Sequence, residues 1–337
     1  MSNKRVVTFG EVMMRLSPPG YAKFSQATTL EMAYGGGEAN VAISLAYMGL
    51  DAAHVTKFPD NLVGRSATQF LRHHWLDTSS VAYGDGIMGK YFLEKGAVHR
   101  PSEVVYEREN SAFALIERDT FDWAEILKGA DWLHWTGITP AISEGAAESC
   151  LQAIETANRL GVKVSADVHS RKSLWSYGKS KKEIMPMLIA GCDYVIAGTH
   201  DISEIFDIDL PEKEGQFRSA AQQLMKMYPR IKTVFDKNRV AVSASHNRIQ
   251  GKMWNGENVI KTPELDVTHI VDRVGTGDAY AAGVVYGLLH YEDQMHALKF
   301  ATAACALKHT VEGDSNMVSV ENIEALMEGN TSGNIIR

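Results

Sequence analysis

Cysteine is scarce in this chain, with three in 337 residues. Cys150, Cys192 and Cys305 stand far apart, form no C-x-x-C pair and cannot all pair with one another. Neither a disulfide framework nor a zinc site is indicated, and buried reduced thiols are expected. Long apolar runs are missing too. None approaches the length of a membrane span, and the opening residues pass into VVTFGEVMMRL without the basic start, apolar stretch and cleavage site of a secretory leader. A cytoplasmic protein with no membrane partner is therefore expected. Excess positive charge is the third absence. The formal net charge of -7, from 34 Lys and Arg against 41 Asp and Glu, argues against a nucleic-acid surface. It suits a small-molecule enzyme that gathers its positive charge in a cleft. No internal repeat or low-complexity segment occurs, and only the tail from Gly329 reads as frayed.

What is present is an ordinary globular composition, 45% hydrophobic and 22% charged, enough to bury a large core. The spacing predicts a buried strand at Arg5 to Gly10 and a helix at Glu38 to Met48 ended by Gly49. A helix at Ala146 to Leu160 stopped by Gly161, a strand at Val162 to Val168 and a strand at Asp193 to Ala197 follow. Gln216 to Met227 reads as a helix, Thr233 to Asp236 as a strand, and Trp254 to Glu257 as a hairpin turn. Helices close the chain at Asp278 to His290 and Met295 to His309. Alternation of this kind builds an α/β fold, a mostly parallel sheet flanked by helices. One domain over 1–330 with a flexible tail at 331–337 is expected. Two stretches break the alternation, and they predict lid strands at about 12–34 and 88–116 over the carboxyl edge of the sheet, where open α/β folds bind ligands.

The strongest motif is DRVGTGDAYAAG at 272–283, a glycine turn running into a helix of small residues. Gly275, Thr276 and Gly277 let backbone amides converge at a helix amino end, a cradle for phosphate oxygens. Asp278 at that start is placed to take a proton from a substrate hydroxyl while the amides stabilise the transferred phosphoryl group. The same aspartate can also serve simply as a helix cap. A second glycine turn, YGGGEANVA at 34–42, opens another helix, and Asn40 in it offers a donor and an acceptor to a polar ligand. GDGIMGK at 84–90 satisfies G-x-G-x-x-G and nearly a Walker A loop, but Tyr91 stands in place of the metal-binding Ser or Thr and strand follows it, so it reads as a lid turn. His73-His74 and the cluster of Trp132, His134 and Trp135 lack metal-ligand spacing and read as structural.

GEVMMRL, YGGGEANVA and DRVGTGDAYAAG stand in the order and spacing of the ribokinase-like (pfkB) carbohydrate kinases, and the resemblance spans nearly the whole chain. Within that family the chain is most similar to the members that act on 2-keto-3-deoxygluconate, through GITPAIS at 137–143, DVHSRKSLW at 167–175 and Tyr106-Glu107-Arg108. The resemblance implies a Rossmann-like sheet with helices on both faces and a small β lid. It implies ATP and Mg²⁺ as phosphate donor and metal, and Asp278 as base. It further implies sugar-binding roles for Gly36, Tyr91, Tyr106, Arg108 and Arg171, and for Asp314, which lies 36 residues past Asp278. Two arginines beside a sugar pocket suit an acidic substrate, since a guanidinium grips a carboxylate as a fork. His169, Lys237 and Asn238 fall on the nucleotide side.

Two departures qualify that likeness. The family's Lys-x-Gly-x-x-Gly nucleotide turn is replaced by DKNRVAVSAS at 236–245, which predicts a loop rebuilt from Lys237, Asn238 and Arg239. Its Asn-x-x-Glu is missing at Gly198 to Asp201, although Asp201 and Glu204 offer carboxylates nearby. The sequence thus predicts a sugar-acid kinase, with a neutral-sugar kinase or a non-catalytic sugar-binding regulator as alternatives. Lid strands with exposed edges also suggest a homo-oligomer.

Overall fold

The computed structural model describes residues 4–169, 174–212 and 214–331. In chain order its strands are β1 (Arg5–Phe9), β2 (Met13–Ser17), β3 (Glu31–Gly35), β4 (Asp51–Pro59), β5 (Val81–Gly84), β6 (Lys90–Glu94), β7 (Glu103–Glu107), β8 (Trp132–Thr136), β9 (Lys163–Val168), β10 (Tyr194–Ala197), β11 (Thr233–Ser243), β12 (His246–Trp254), β13 (Val259–Lys261) and β14 (Leu265–Val267). They form a large sheet of order β13-β12-β11-β10-β9-β8-β1-β4-β5, with β14 also on β12, and a small sheet of order β3-β2-β6-β7. From β5 to β11 the neighbours of the large sheet are parallel, and β12 pairs antiparallel with β11, β13 and β14.

Burial on both faces explains the near-continuous apolar character of the central strands. Val7, Phe9, Leu133 and Trp135 enter one core, with Ala146, Ile154, Ala220 and Leu224 of the helices Glu144–Leu160 and Gln216–Met227. Val6 and Trp132, on the opposite side by the two-residue period of a strand, enter the other core. There they meet the helices Gly37–Tyr47, Thr276–His290 and Gln294–Lys308. Helices therefore cover both faces, the ribokinase-like arrangement. Gly161, at φ 74°, ends the helix Glu144–Leu160 as its spacing predicted. Among the described residues no helix is long and apolar enough to cross a membrane, and all three cysteines are buried and unpaired. Almost all of the predicted tail lies outside the described residues.

The chain leaves β1 in two directions, outward to β4 and β5 and back through β8 to β11. Ligands gather at the carboxyl ends of such a switch. The small sheet belongs to this edge, as the two out-of-pattern stretches predicted. Met13, Arg15, Ser17, Tyr91 and Leu93 point inward, whereas Met32 and Val105 stay exposed.

What fastens the lid is a charge. Arg15 of β2, buried, donates from Nη2 to Asp272 Oδ2 at 2.6 Å and from Nη1 to Asp314 Oδ1 at 2.7 Å. Burial works against that charge, but Asp314 and Asp272 outweigh it and hold the guanidinium above its ordinary pKa. Replacing Arg15 with Met should strand two buried carboxylates and cost about 3–5 kcal/mol. Arg65→Met, which breaks the exposed pair with Asp60, should cost at most about 1 kcal/mol. Denaturant unfolding of both variants compares them, and equal losses would contradict the fastening role.

Candidate active site

Gly275 takes φ 77°, and a side chain there would run into the carbonyl oxygen of Asp314. Only glycine suits both demands. The first hydrogen bond of the helix Thr276–His290 is Ala279 N to Gly275 O at 2.9 Å, so the amides of Gly275 to Asp278 precede the helical ladder. Amides in that position, with the helix dipole behind them, form an anion cradle.

Asp278 stands at this mouth opposite the other glycine turn. Asn40 donates from Nδ2 to Asp278 Oδ2 at 2.7 Å. The amide is turned that way because its oxygen accepts from Gly36 N at 3.5 Å and from Ser315 Oγ at 3.4 Å. Asp278 Oδ1 lies 3.8 Å from where a Cβ on Gly37 would sit, so glycine keeps the approach to the carboxylate open. Gly36 has extended backbone, and its need is space, since a side chain would overlap the carbonyl oxygen of Glu11. Beneath this turn Glu38 is buried. Its Oε1 accepts from Thr136 N at 3.0 Å, Thr136 Oγ1 at 2.8 Å and Thr139 Oγ1 at 2.6 Å, pinning the turn to the end of β8. Burial pushes its carboxyl up to about 7 against those donors.

The loop expected to meet the nucleotide is a strand. Residues 236–243 continue β11 in antiparallel pairing with β12, because Val240 and Val242 favour the extended ladder over a turn. Alternation then separates the three residues. Lys237 Nζ sits 5.1 Å from the centroid of Tyr280 and 3.7 Å from a Cβ built on Gly277, facing the cradle. Asn238 points the other way, where its Oδ1 accepts from Lys252 Nζ at 2.9 Å. Burial and the neighbouring charge of Arg239 both lower the pKa of Arg273, so those two guanidiniums share one region. His169 follows β9, its Nε2 3.1 Å from Asp167 Oδ1 and its Nδ1 3.9 Å from Asp201 Oδ2. The Asp167 carboxylate raises it to about 9. Asp167 is itself held down to about 2, the charges of His169 and Lys237 overcoming its burial.

A cleft of about 870 Å³ is lined by Tyr106 and Arg108, two of the residues expected to hold the sugar, together with Ile87, Leu115, Ile142 and Leu174, but not by Asp278 or the cradle. Arg108 is not a bare cation there, because its Nη2 donates to Glu11 Oε2. Tyr91 and Asp314, predicted to face the sugar, face each other. The Tyr91 hydroxyl donates to Asp314 Oδ2, and both are buried with Arg15. Burial raises the pKa of both groups. Arg171 lies outside the described residues. The structural reading of Trp132 and His134 agrees with their full burial and their bonds to Ser165 Oγ at 2.7 and 2.8 Å. Among the described residues no group of three or more His, Cys, Asp or Glu could hold a metal ion.

Glu11, Arg15, Glu38 and Asp272 were missed as site residues, although all four lie inside the motifs. Their spacing says nothing of their partners, which are 97 to 299 residues away for the bonds of Arg108 to Glu11, Arg15 to Asp314 and Thr136 to Glu38.

Comparison with known proteins shows the family. The pfkB family carbohydrate kinase model matches residues 3–321. A 2-dehydro-3-deoxygalactonokinase of Haloferax volcanii is 30% identical over 97% of this chain and 98% of its own length. The crystal structure of a 2-dehydro-3-deoxygluconokinase from Thermotoga maritima superposes with a TM-score of 0.92 at 39% identity, covering 97% of this chain and all of that one. A pfkB family carbohydrate kinase from Listeria grayi gives a TM-score of 0.90 at 36% identity, over 96% of this chain and 100% of its own. With the match running almost end to end, the chain belongs to the pfkB family of carbohydrate kinases, phosphotransferases that act on a sugar hydroxyl.

Proposed function

We propose that the enzyme transfers the γ-phosphate of ATP to the terminal hydroxyl of 2-keto-3-deoxygluconate, giving the 6-phosphate. The observation that carries the phosphoryl transfer is Asp278, held by Asn40 at the amide cradle. The name of the Thermotoga relative supports the gluconate, and that of the Haloferax relative, a 2-dehydro-3-deoxygalactonokinase, supports the wider class of 2-keto-3-deoxy sugar acids.

In this reading Asp278 accepts the hydroxyl proton as the sugar oxygen bonds to the γ-phosphorus and the bond to the ADP oxygen breaks. The amides of Gly275 to Asp278 stabilise the charge on the transferred group. Lys237, beside Gly277, and the His169 imidazolium suit the donor's phosphates. Asn238, turned toward Lys252, is a weaker candidate for nucleotide contact than Lys237. Mg²⁺ binds chiefly through substrate phosphates and one or two carboxylates. Asp201, on the helix Thr199–Phe206 beside His169, fits such a role, and the ion would neutralise phosphate charge there.

A neutral sugar such as fructose is the second reading, favoured by one observation: the charge of Arg108 is already met by Glu11. A panel of sugars and sugar acids assayed for ATP-dependent phosphorylation separates the two. Activity confined to neutral sugars would overturn the sugar-acid assignment. Asp278→Asn should lower turnover by roughly 10²–10⁴-fold while sugar affinity changes little. Unchanged turnover would remove Asp278 from the mechanism. His169, raised to about 9, should stay protonated through neutral pH and lose its charge only as the pH climbs through that value. Asp167→Asn should bring its titration back toward the ordinary histidine value of about 6.5, read by NMR of the imidazole ring.

A further inference from the structure

Glu11 and Arg108 form an ion pair that is only half made. One guanidinium nitrogen, Nη2, meets one carboxylate oxygen, Oε2. The remaining oxygen of Glu11, Oε1, and the Nε of Arg108 are both buried, and neither has a hydrogen-bond partner among the described residues. Glu11 itself is 4% exposed. A buried acceptor or donor without a partner is costly, and proteins keep few of them. Two at one ion pair, one an acceptor and the other a donor, need a group that supplies the opposite of each.

The surroundings say where that group would come from. Glu11 lies just past the end of β1, at the carboxyl edge of the sheet, and its carbonyl backs directly onto Gly36 of the turn that faces Asp278. Its Oε1 is 2.7 Å from where a Cβ on Gly89, just before β6, would stand, so a side chain there would collide with it. Arg108, its partner, lines the cleft beneath the lid. Glycine on both flanks and a cleft-lining arginine at the head keep this pair at the junction of sheet edge, lid and cleft.

We infer that Glu11 is a further substrate-binding residue. Its Oε1 accepts a hydrogen bond from a sugar hydroxyl while Oε2 holds Arg108, whose Nε donates to a neighbouring substrate oxygen. The pair as a whole carries no net charge, so it recognises a hydroxyl set beside a second oxygen, as a polyhydroxylated chain presents, and does not by itself select an acid. The inference rests on the kinase reading above and names a specificity contact at the same site.

The test is Glu11→Gln, assayed for the KM of sugar, the KM of ATP and kcat, with thermal unfolding to verify the fold and Glu11→Asp as a milder second variant. The charged acceptor is lost, so sugar KM should rise roughly tenfold or more. The ATP KM and kcat should change much less than the sugar KM, because the proposed role of Glu11 is to bind the sugar and not to move a proton. An analogue lacking the recognised hydroxyl should bind both enzymes alike. A sugar KM that stays unchanged, or a kcat loss without a KM change, overturns the inference. A sugar KM that falls also overturns it, since Glu11 would then be competing with the substrate's own carboxylate for Arg108. Wild-type protein that phosphorylates no sugar would instead sink the kinase reading, which keeps the two failures apart.

Discussion

A guanidinium buried between two carboxylates holds this molecule's working edge in shape. Arg15 comes from the small sheet, Asp272 from the approach to the cradle, and Asp314 from the loop after the helix Gln294–Lys308. Neither carboxylate could remain charged and buried without it. Asp272 in turn accepts from Val274 N at 3.0 Å and Gly313 N at 3.3 Å, so the one cation orders both loops around Gly275. The carbonyl of Asp314 comes so near Gly275 that no side chain would fit. The left-handed turn opening the cradle is therefore held from outside as well as permitted by glycine. A second cation, the fully buried Lys308, donates from Nζ to Val311 O at 2.9 Å in the same region. Its pKa is lowered by burial despite nearby Asp272 and Asp314.

The charges around the mouth differ in how far they are paired. On one flank Lys237 lies over Tyr280 and the guanidiniums of Arg239 and Arg273 share one region, while the His169 charge is met by Asp167. On the other flank the visible charges are neutralised in pairs, Arg108 by Glu11 and Lys90 by Glu107. Paired charges inside a cleft discriminate through directed hydrogen bonds more than through net attraction. Asp278 is oriented by an amide whose own oxygen is held from two sides.

Much of this was legible in the residues. Glycines at 275 and 277 before Asp278, and at 35 to 37 before Asn40, are backbone requirements that sequence displays directly, and the helices they open begin within two residues of where the spacing says. The buried strands β1, β9 and β10 were readable from their β-branched runs. The stretch 237–243 was not, because Lys-Asn-Arg looks like a loop, and only pairing with β12 makes it strand. Tyr91 and Arg108 were readable as lid residues but not as partners of Asp314 and Glu11.

By itself, then, the sequence determined the local chemistry: where the backbone turns sharply, which amides converge, which carboxylate stands at the helix mouth, and that alternating elements make a covered parallel sheet. These follow from interactions between near neighbours, where residue type alone sets the geometry. Only the tertiary structure decided which charges neutralise one another, because Arg15 and Asp314 are 299 residues apart and Arg108 and Glu11 are 97. A side chain's net availability to a ligand depends on burial and on distant partners, and neither is encoded in its immediate neighbours.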